Sequence, residues 1–266
     1  MERQRRPSLS PHLLNGIKST GFVPKDLTPT EEDIVRFTPI SARPWEFIKQ
    51  VLVLPEYIKG LNILDVGGGS SDTTARLLEK GANAYALDPC YESDSDLEEK
   101  TKWYLEELTK WQMYGLTKMD SPESAKKQKE AFERFLVSRR KDIAHYVCAS
   151  ATSIPFGNNY FNLVFSAVCI TGHFDVNKEI FFAAVKECLR VTKPGGLVQL
   201  FPWGEPIKLA PSESLEETIG IAIFQRQSIL NQGLLLLNLT ERDDLNCYFL
   251  RTPIGGTTLV IEKKIT

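Results

Sequence analysis

Three consecutive glycines between a short apolar stretch and a helical stretch constrain this chain more than any other feature. Asn62–Val66 is apolar enough for a buried strand, and Gly67–Gly69 follow at once. Ser70 or Ser71 can then cap the N-terminus of a helix over Thr73–Leu78. Because glycine has no Cβ atom, a ligand can approach the backbone of such a turn closely. The order of strand, glycine turn and helix predicts a ligand site beyond the carboxyl end of the strand.

The glycine spacing argues against a dinucleotide as that ligand. The dinucleotide fingerprint G-x-G-x-x-G requires a third glycine three residues after the second. Gly67 and Gly69 supply the first pair, but Asp72 stands at the third position. A carboxylate at that position would lie beside a phosphate, so we expect a ligand without a pyrophosphate in this turn.

Four strings along the chain resemble motifs of the class I S-adenosylmethionine-dependent methyltransferases, in that family's order. DVGGGSS at 65–71 resembles D-x-G-x-G-x-G, with Ser71 in place of the last glycine. YVCASATSIPF at 146–156 resembles the third motif, with Ser150 where the family often has aspartate. FNLVFSAV at 161–168 resembles the fourth strand, and LRVTKPGG at 189–196 resembles the L-R-V-L-K-P-G-G signature. The resemblance extends from about Arg43 to the carboxyl end.

The resemblance implies S-adenosylmethionine as the cofactor and assigns residues to it. Asp88 closes the second apolar run, Ala82–Leu87, where a carboxylate would accept hydrogen bonds from the ribose hydroxyls. Taken alone, Asp88 fits equally well as a solvated turn residue before Pro89. The cofactor-binding residues that we expect are Arg43, Asp65, Gly67, Gly68, Gly69, Asp88, Pro89, Ser150, Ala151 and Ser166.

Arg43 begins the string RPWEF, which resembles an R-x-x-E-Y element of a little-characterised bacterial branch of the family, with Phe47 in place of tyrosine. Its guanidinium could hold the methionine carboxylate through two parallel hydrogen bonds. A surface arginine on an amphipathic helix is the alternative interpretation.

His173 is the candidate catalytic residue. It lies in the string CITGHF after the fourth strand, where it could deprotonate an acceptor hydroxyl. A loop histidine that merely packs or forms a hydrogen bond is the alternative. The motifs for methylating adenine N6 or cytosine C5 do not occur in the sequence. We therefore expect methyl transfer to O or N of a small-molecule metabolite, with two alternatives: an RNA or protein methyltransferase, or a non-catalytic S-adenosylmethionine-binding interaction protein.

Composition limits the partners that the chain could have. Its 32 basic and 34 acidic residues give a net charge of −2, which does not favour a nucleic-acid partner, and acidic residues interleave with the basic ones of Lys126–Arg140. No apolar run reaches the ~18 residues of a membrane span, and the amino end lacks the apolar core of a signal peptide, so we expect a cytoplasmic protein. The five cysteines and three histidines have no metal-ligand spacing, and no metal is expected.

The fold that we expect is α/β: the Rossmann-like class I methyltransferase fold, with a seven-stranded, mostly parallel sheet and a terminal antiparallel strand. A helical segment over 1–57 would cover the cofactor, and the methyltransferase domain would occupy 58–266. A helical insertion at about 92–144 would hold helices over Asp94–Leu116 and Ser121–Asp142. Leu234–Thr240 and Thr257–Lys264 would form the last strands. The insertion and the amino segment are expected to enclose the acceptor.

Overall fold

The computed structural model describes residues 43–92, 99, 101–102, 122–175, 177–204, 215–254 and 256–265. These residues form one seven-stranded sheet. Its strands are β1 (Asn62–Val66), β2 (Asn83–Leu87), β3 (Tyr146–Val147), β4 (Phe161–Ala167), β5 (Thr192–Phe201), β6 (Leu245–Arg251) and β7 (Thr257–Lys263). Their order is β3-β2-β1-β4-β5-β7-β6. Strand β7 runs in the opposite direction to the other six strands and pairs antiparallel with both of its neighbours, β5 and β6. This confirms the predicted mostly parallel sheet.

Helices cover both faces of this sheet. They are α1 (Trp45–Val51), α2 (Thr73–Glu79), α3 (Pro122–Lys141), α4 (Lys178–Val191) and α5 (Leu215–Thr240). Strand β4 shows how the two faces are filled, because Leu163 and Phe165 pack with α1 and α2 while Val164 packs with α4. Alternate residues of a strand point to opposite faces, so a strand buried on both faces is apolar along its whole length. The sheet is therefore the middle layer of three.

The boundary between α4 and β5 lies within the LRVTKPGG string. Helix α4 ends at Val191, as the proline and glycines predict. The next residues are extended, but pairing with β4 jumps from Phe161 opposite Thr192 to Leu163 opposite Leu197. Gly195 has a φ of +76°, which suits this irregularity. The intervening residues bulge out before regular pairing begins.

The prediction of a strand over Leu234–Thr240 is wrong, because these residues form the last turns of α5. Burial at Asn231, Gln232, Leu235 and Leu239 follows the helical period rather than the alternation of a strand. The strand partner of β7 is Leu245–Arg251 instead, after a short turn. A run of four leucines has no period of its own, so the sequence favoured neither structure. The predicted strand over Thr257–Lys264 is confirmed as β7.

The insertion is described in part. Its second predicted helix, Ser121–Asp142, is confirmed as α3, with Ala131 and Phe135 buried. The first, Asp94–Leu116, lies outside the described residues except for positions 99, 101 and 102. The amino segment before residue 43 lies outside them as well. Within the described ranges, no helix is long and apolar enough to cross a membrane.

Candidate functional site

The glycine turn joins β1 to α2 at the carboxyl edge of the sheet. Gly67 and Gly69 have φ angles of +74° and +53°, a region that residues with a Cβ rarely adopt. A Cβ atom on Gly67 would overlap the side chain of Cys169, and one on Gly68 would lie 2.9 Å from the Tyr91 hydroxyl. The turn therefore requires glycine at Gly67 for two reasons, its backbone conformation and the space available.

Asp65 lies beneath this turn, at the end of β1. Only 1% of its surface is exposed, and its Oδ1 atom finds no hydrogen-bond donor among the described residues. Burial raises the pKa of Asp65 to about 7, Arg43 opposes the shift, and the nearby Asp88 carboxylate adds to it. A buried carboxylate with an oxygen left without a donor is suited to a cationic ligand group.

Arg43 stands before α1 and reaches the turn from the amino side. It donates from Nη2 to the carbonyl of Gly67 at 2.8 Å, and its Nε is buried without a partner among the described residues. The hydroxyl of Ser71 donates back to the carbonyl of Arg43 at 2.7 Å. Arg43 is therefore half-buried beside the turn and not on an exposed helix face. Its predicted contact with a carboxylate stays a prediction.

Asp88 closes β2 and faces the same turn. Its Oδ2 accepts a hydrogen bond from the Gly69 amide at 3.1 Å, and its Oδ1 accepts one from the Cys90 amide at 2.9 Å. Burial raises the pKa of Asp88, and these two amides oppose the shift. A carboxylate oxygen can accept two hydrogen bonds, so both oxygens keep capacity for ribose hydroxyls. Pro89 begins the single helical turn Pro89–Glu92 that follows.

Ser150 and Ala151 lie in the loop after β3. The hydroxyl of Ser150 accepts a hydrogen bond from the Thr152 amide at 3.0 Å, which makes a local turn, and Ala151 is buried. Glu187 and Arg190 of α4 bind the backbone of Ile154 in this loop at 2.9 and 2.8 Å. The predicted adenine contacts of Ser150 and Ala151 stay predictions, but α4 fixes the loop that carries them.

Ser166 and His173 belong to the segment after β4. Ser166 is fully buried, and its hydroxyl accepts a hydrogen bond from the Ile170 amide at 3.0 Å. That contact supports the π-helical turn Ile170–Phe174, which contains His173. The side chain of His173 lies outside the described part of the structure, so its catalytic role stays a prediction.

Sequence reasoning missed two residues at this site, Tyr91 and Cys169, and the contacts of a third, Asp72. Tyr91 is buried, and its hydroxyl donates to the carbonyl of Gly69 at 2.7 Å. Cys169 fills the space beside Gly67, and burial raises the pKa of its thiol. Asp72, expected as an anion that would repel a phosphate, accepts hydrogen bonds from the Trp45 amide at 2.7 Å and from Arg134 at 3.0 Å. An aromatic residue three positions after a strand-end aspartate is the only sequence signal for Tyr91.

No group of histidine, cysteine, aspartate and glutamate side chains that could hold a metal ion occurs among the residues that the structure describes.

Part of the chain is similar to known methyltransferases. Residues 101–200 match a family model described as a methyltransferase domain. The ubiquinone/menaquinone biosynthesis C-methyltransferase UbiE of Vibrio cholerae is 33% identical over 86 residues, which cover 32% of this chain and 31% of that protein. The matched stretch thus spans about a third of the length of the curated relative.

Two solved structures named as methyltransferases are similar to this chain at low sequence identity. One is a putative S-adenosyl-L-methionine-dependent methyltransferase from Methanococcus maripaludis, 13% identical with a TM-score of 0.43, covering 100% of this chain and 99% of that one. Another is a SAM-dependent methyltransferase from Aquifex aeolicus, 12% identical with a TM-score of 0.43, covering 89% and 95%.

The sheet order, the glycine turn and the family match are consistent with one another and with the motif resemblance. Residues 101–200 of the chain are similar to the methyltransferase-domain family, and the sheet is the seven-stranded, mostly parallel sheet expected for the class I S-adenosylmethionine-dependent methyltransferase fold.

Proposed function

We propose that this chain binds S-adenosylmethionine and transfers its methyl group to a small molecule. One observation carries the proposal: a glycine turn that has no room for a side chain lies beside Asp65, a buried carboxylate with one oxygen that has no donor among the described residues, and beside the half-buried guanidinium of Arg43. An amino-acid end group carries one ammonium and one carboxylate. The two charges of the site complement those two groups.

The residues present fit the rest of the cofactor as well. Asp65 would accept hydrogen bonds from the ammonium, and Arg43 would bind the carboxylate through the Nε that has no protein partner among the described residues. Asp88, still anchored by Gly69 and Cys90, would hold the ribose hydroxyls. The cofactor, when bound, supplies an electrophilic methyl group on a sulfonium.

The protein's part in such a transfer is to align the acceptor and exclude water. The segment after β4 lies beside the glycine turn, because Cys169 contacts Gly67. His173 follows in that segment, so we propose it as the group that would take a proton from an acceptor hydroxyl or amine. Carbon acceptors need no different cofactor site, and the curated relative is named a C-methyltransferase.

We propose a small, uncharged or modestly charged molecule as the acceptor. We also propose that the protein is located in the cytoplasm. The net charge of −2 and the acidic residues among the lysines and arginines of α3 support this class over RNA. Two surface ion pairs of that helix, Lys127 with Glu123 at 2.8 Å and Lys126 with Glu130 at 3.9 Å, reduce the positive field that a polyanion would need.

Labelled S-adenosylmethionine incubated with the protein and with size-fractionated cell extract tests this proposal. We expect label in the small-molecule fraction, detected on O, N or C by mass spectrometry, and about tenfold less with Asp88→Ala at limiting cofactor. Label in RNA or protein would show that the acceptor is a macromolecule and would overturn the small-molecule proposal. S-adenosylhomocysteine binding without transfer to any fraction would favour the non-catalytic alternative.

A further inference from the structure

Helix α3 of the insertion contacts the cofactor site through Tyr91. Arg139 is buried, with 6% of its surface exposed, and donates from Nη2 to the backbone carbonyl of Tyr91 at 2.7 Å. Its guanidinium also lies 5.4 Å from the centre of the Tyr91 ring. Phe135 of the same helix packs against that ring at a centroid distance of 6.0 Å. The position of Tyr91 is thus set by the insertion.

Tyr91 in turn holds the glycine turn. Its hydroxyl donates to the carbonyl of Gly69 at 2.7 Å, and burial strengthens this hydrogen bond. The same hydroxyl fills the space where a Cβ on Gly68 would lie. Arg139, Tyr91 and Gly69 therefore form a continuous path from α3 to the turn.

Two further contacts join the insertion to the residues that follow the glycines. Arg134 of α3 donates from Nε to Asp72 at 3.0 Å, and 4% of the surface of Asp72 is exposed. The hydroxyl of Thr101, which is fully buried, donates a hydrogen bond to the hydroxyl of Ser70 at 3.0 Å. Two positions of the insertion, Thr101 and Arg134, thus contact Ser70 and Asp72 directly, and a third, Arg139, contacts Gly69 through Tyr91.

A turn of three glycines needs such external contacts. Glycine has more backbone freedom to lose than any other residue, so a free triple-glycine turn would lose that freedom when a ligand binds. Contacts that fix the turn beforehand remove this cost and strengthen binding.

We propose that helix α3 is a clamp that holds the glycine turn in its cofactor-binding conformation, with Tyr91 as the positioning residue that connects them. The proposal rests on the proposed function, because it concerns affinity for S-adenosylmethionine and its product. It also gives the insertion a task separate from enclosing the acceptor.

The variant Tyr91→Phe tests the clamp, with Tyr146→Phe as its matched control. Both substitutions remove one hydroxyl from the same aromatic cluster, but Tyr146 donates to Ser138 at 2.8 Å and not to the turn. Calorimetric titration with S-adenosylhomocysteine should give about tenfold weaker binding for Tyr91→Phe. Binding to Tyr146→Phe should stay within twofold of the parent, although both variants lose similar thermal stability.

Hydrogen exchange gives a second readout that a general loss of stability would not reproduce. Amides of residues 67–72 should exchange faster in ligand-free Tyr91→Phe than in Tyr146→Phe. Arg139→Gln should weaken binding in the same direction, with the exposed Arg140→Gln as its control on the same helix. If Tyr91→Phe does not fold, the Arg139 pair decides the question.

The outcomes separate the two proposals. A parent protein that does not bind S-adenosylhomocysteine would overturn the proposed function. A parent that binds it, with equal affinities for Tyr91→Phe and Tyr146→Phe or for the two arginine variants, would overturn the clamp alone.

Discussion

The two sides of the carboxyl edge are built in different ways. The cofactor side comes from residues close together in sequence: β1, the glycine turn and the end of β2, tied by Asp88 to Gly69. The other side, after β4 and β5, is held by a helix far along the chain. There the buried Asp175 carboxylate accepts hydrogen bonds from Ser228 at 2.5 Å and from Gln232 at 2.7 Å.

Gln232 also joins the two loops of that second side, because its Oε1 accepts a hydrogen bond from the Gly204 amide at 2.7 Å. Helix α5 thus connects the segment after β4 to the segment after β5. The first side is thus built around a local glycine turn that helix α3 supports, whereas the second side is held together by one distant helix, α5. Substitutions on the first side should therefore change cofactor affinity strongly, and substitutions on the second side should change it little.

Gly67→Ala should cause the largest loss. The alanine has to adopt a φ of +74°, and its Cβ has to displace the side chain of Cys169. Because both effects act on the turn, we expect affinity for S-adenosylhomocysteine, measured by calorimetry, to fall by about 100-fold or more. Gly157→Ala is the control, because a Cβ there meets nothing within 4 Å. Equal affinities for the two variants would show that the turn does not form the site.

Cofactor binding should depend on pH through Asp65. The ammonium of the ligand needs the ionised carboxylate, whose pKa is raised to about 7 by burial. Below that pH binding must first remove a proton, so affinity should fall by up to about tenfold for each unit from pH 7 towards pH 5.5 and level off above pH 8. Calorimetry on Asp65→Asn should give weak binding with little pH dependence. The same slope in Asp65→Asn would assign the titration to another group.

Asp88→Ala should weaken binding of S-adenosylhomocysteine by about tenfold, because charge-assisted hydrogen bonds to the ribose are lost. The Gly69 and Cys90 amides would lose their acceptor as well. Asp243→Ala, at an exposed position, is the control. A folded Asp88→Ala protein with parental affinity would refute the assignment of Asp88 to the ribose.

Asp175→Asn should change cofactor affinity least, by no more than twofold. It replaces the carboxylate that Ser228 and Gln232 share, so we expect a loss of about 1–3 kcal/mol in the free energy of unfolding. Thermal denaturation and calorimetry on the same preparation measure both quantities. A loss of cofactor affinity as large as that of Asp88→Ala would mean that the two sides are not independent.

The same contrast explains what the sequence could predict. Asp65, the glycines and Asp88 are recognisable because each stands at a strand end or at a backbone position that few residues tolerate. The strand over Leu234–Thr240 was predicted wrongly because a leucine run fits a helix and a strand equally well, and only burial of Asn231 and Gln232 against Asp175 fixes its state. Tyr91 and Arg139 lie 48 positions apart, so no local pattern indicates their contact.

Titration of the protein with S-adenosylhomocysteine and, separately, with NAD tests the central claim most directly. The site has a glycine turn, a buried carboxylate beneath it and Asp72 already bound by Arg134, with no third glycine for a pyrophosphate. We expect one molecule of S-adenosylhomocysteine to bind per chain at micromolar concentration and NAD not to bind at the same concentration. Binding of NAD at that level, with none of S-adenosylhomocysteine, would contradict the account.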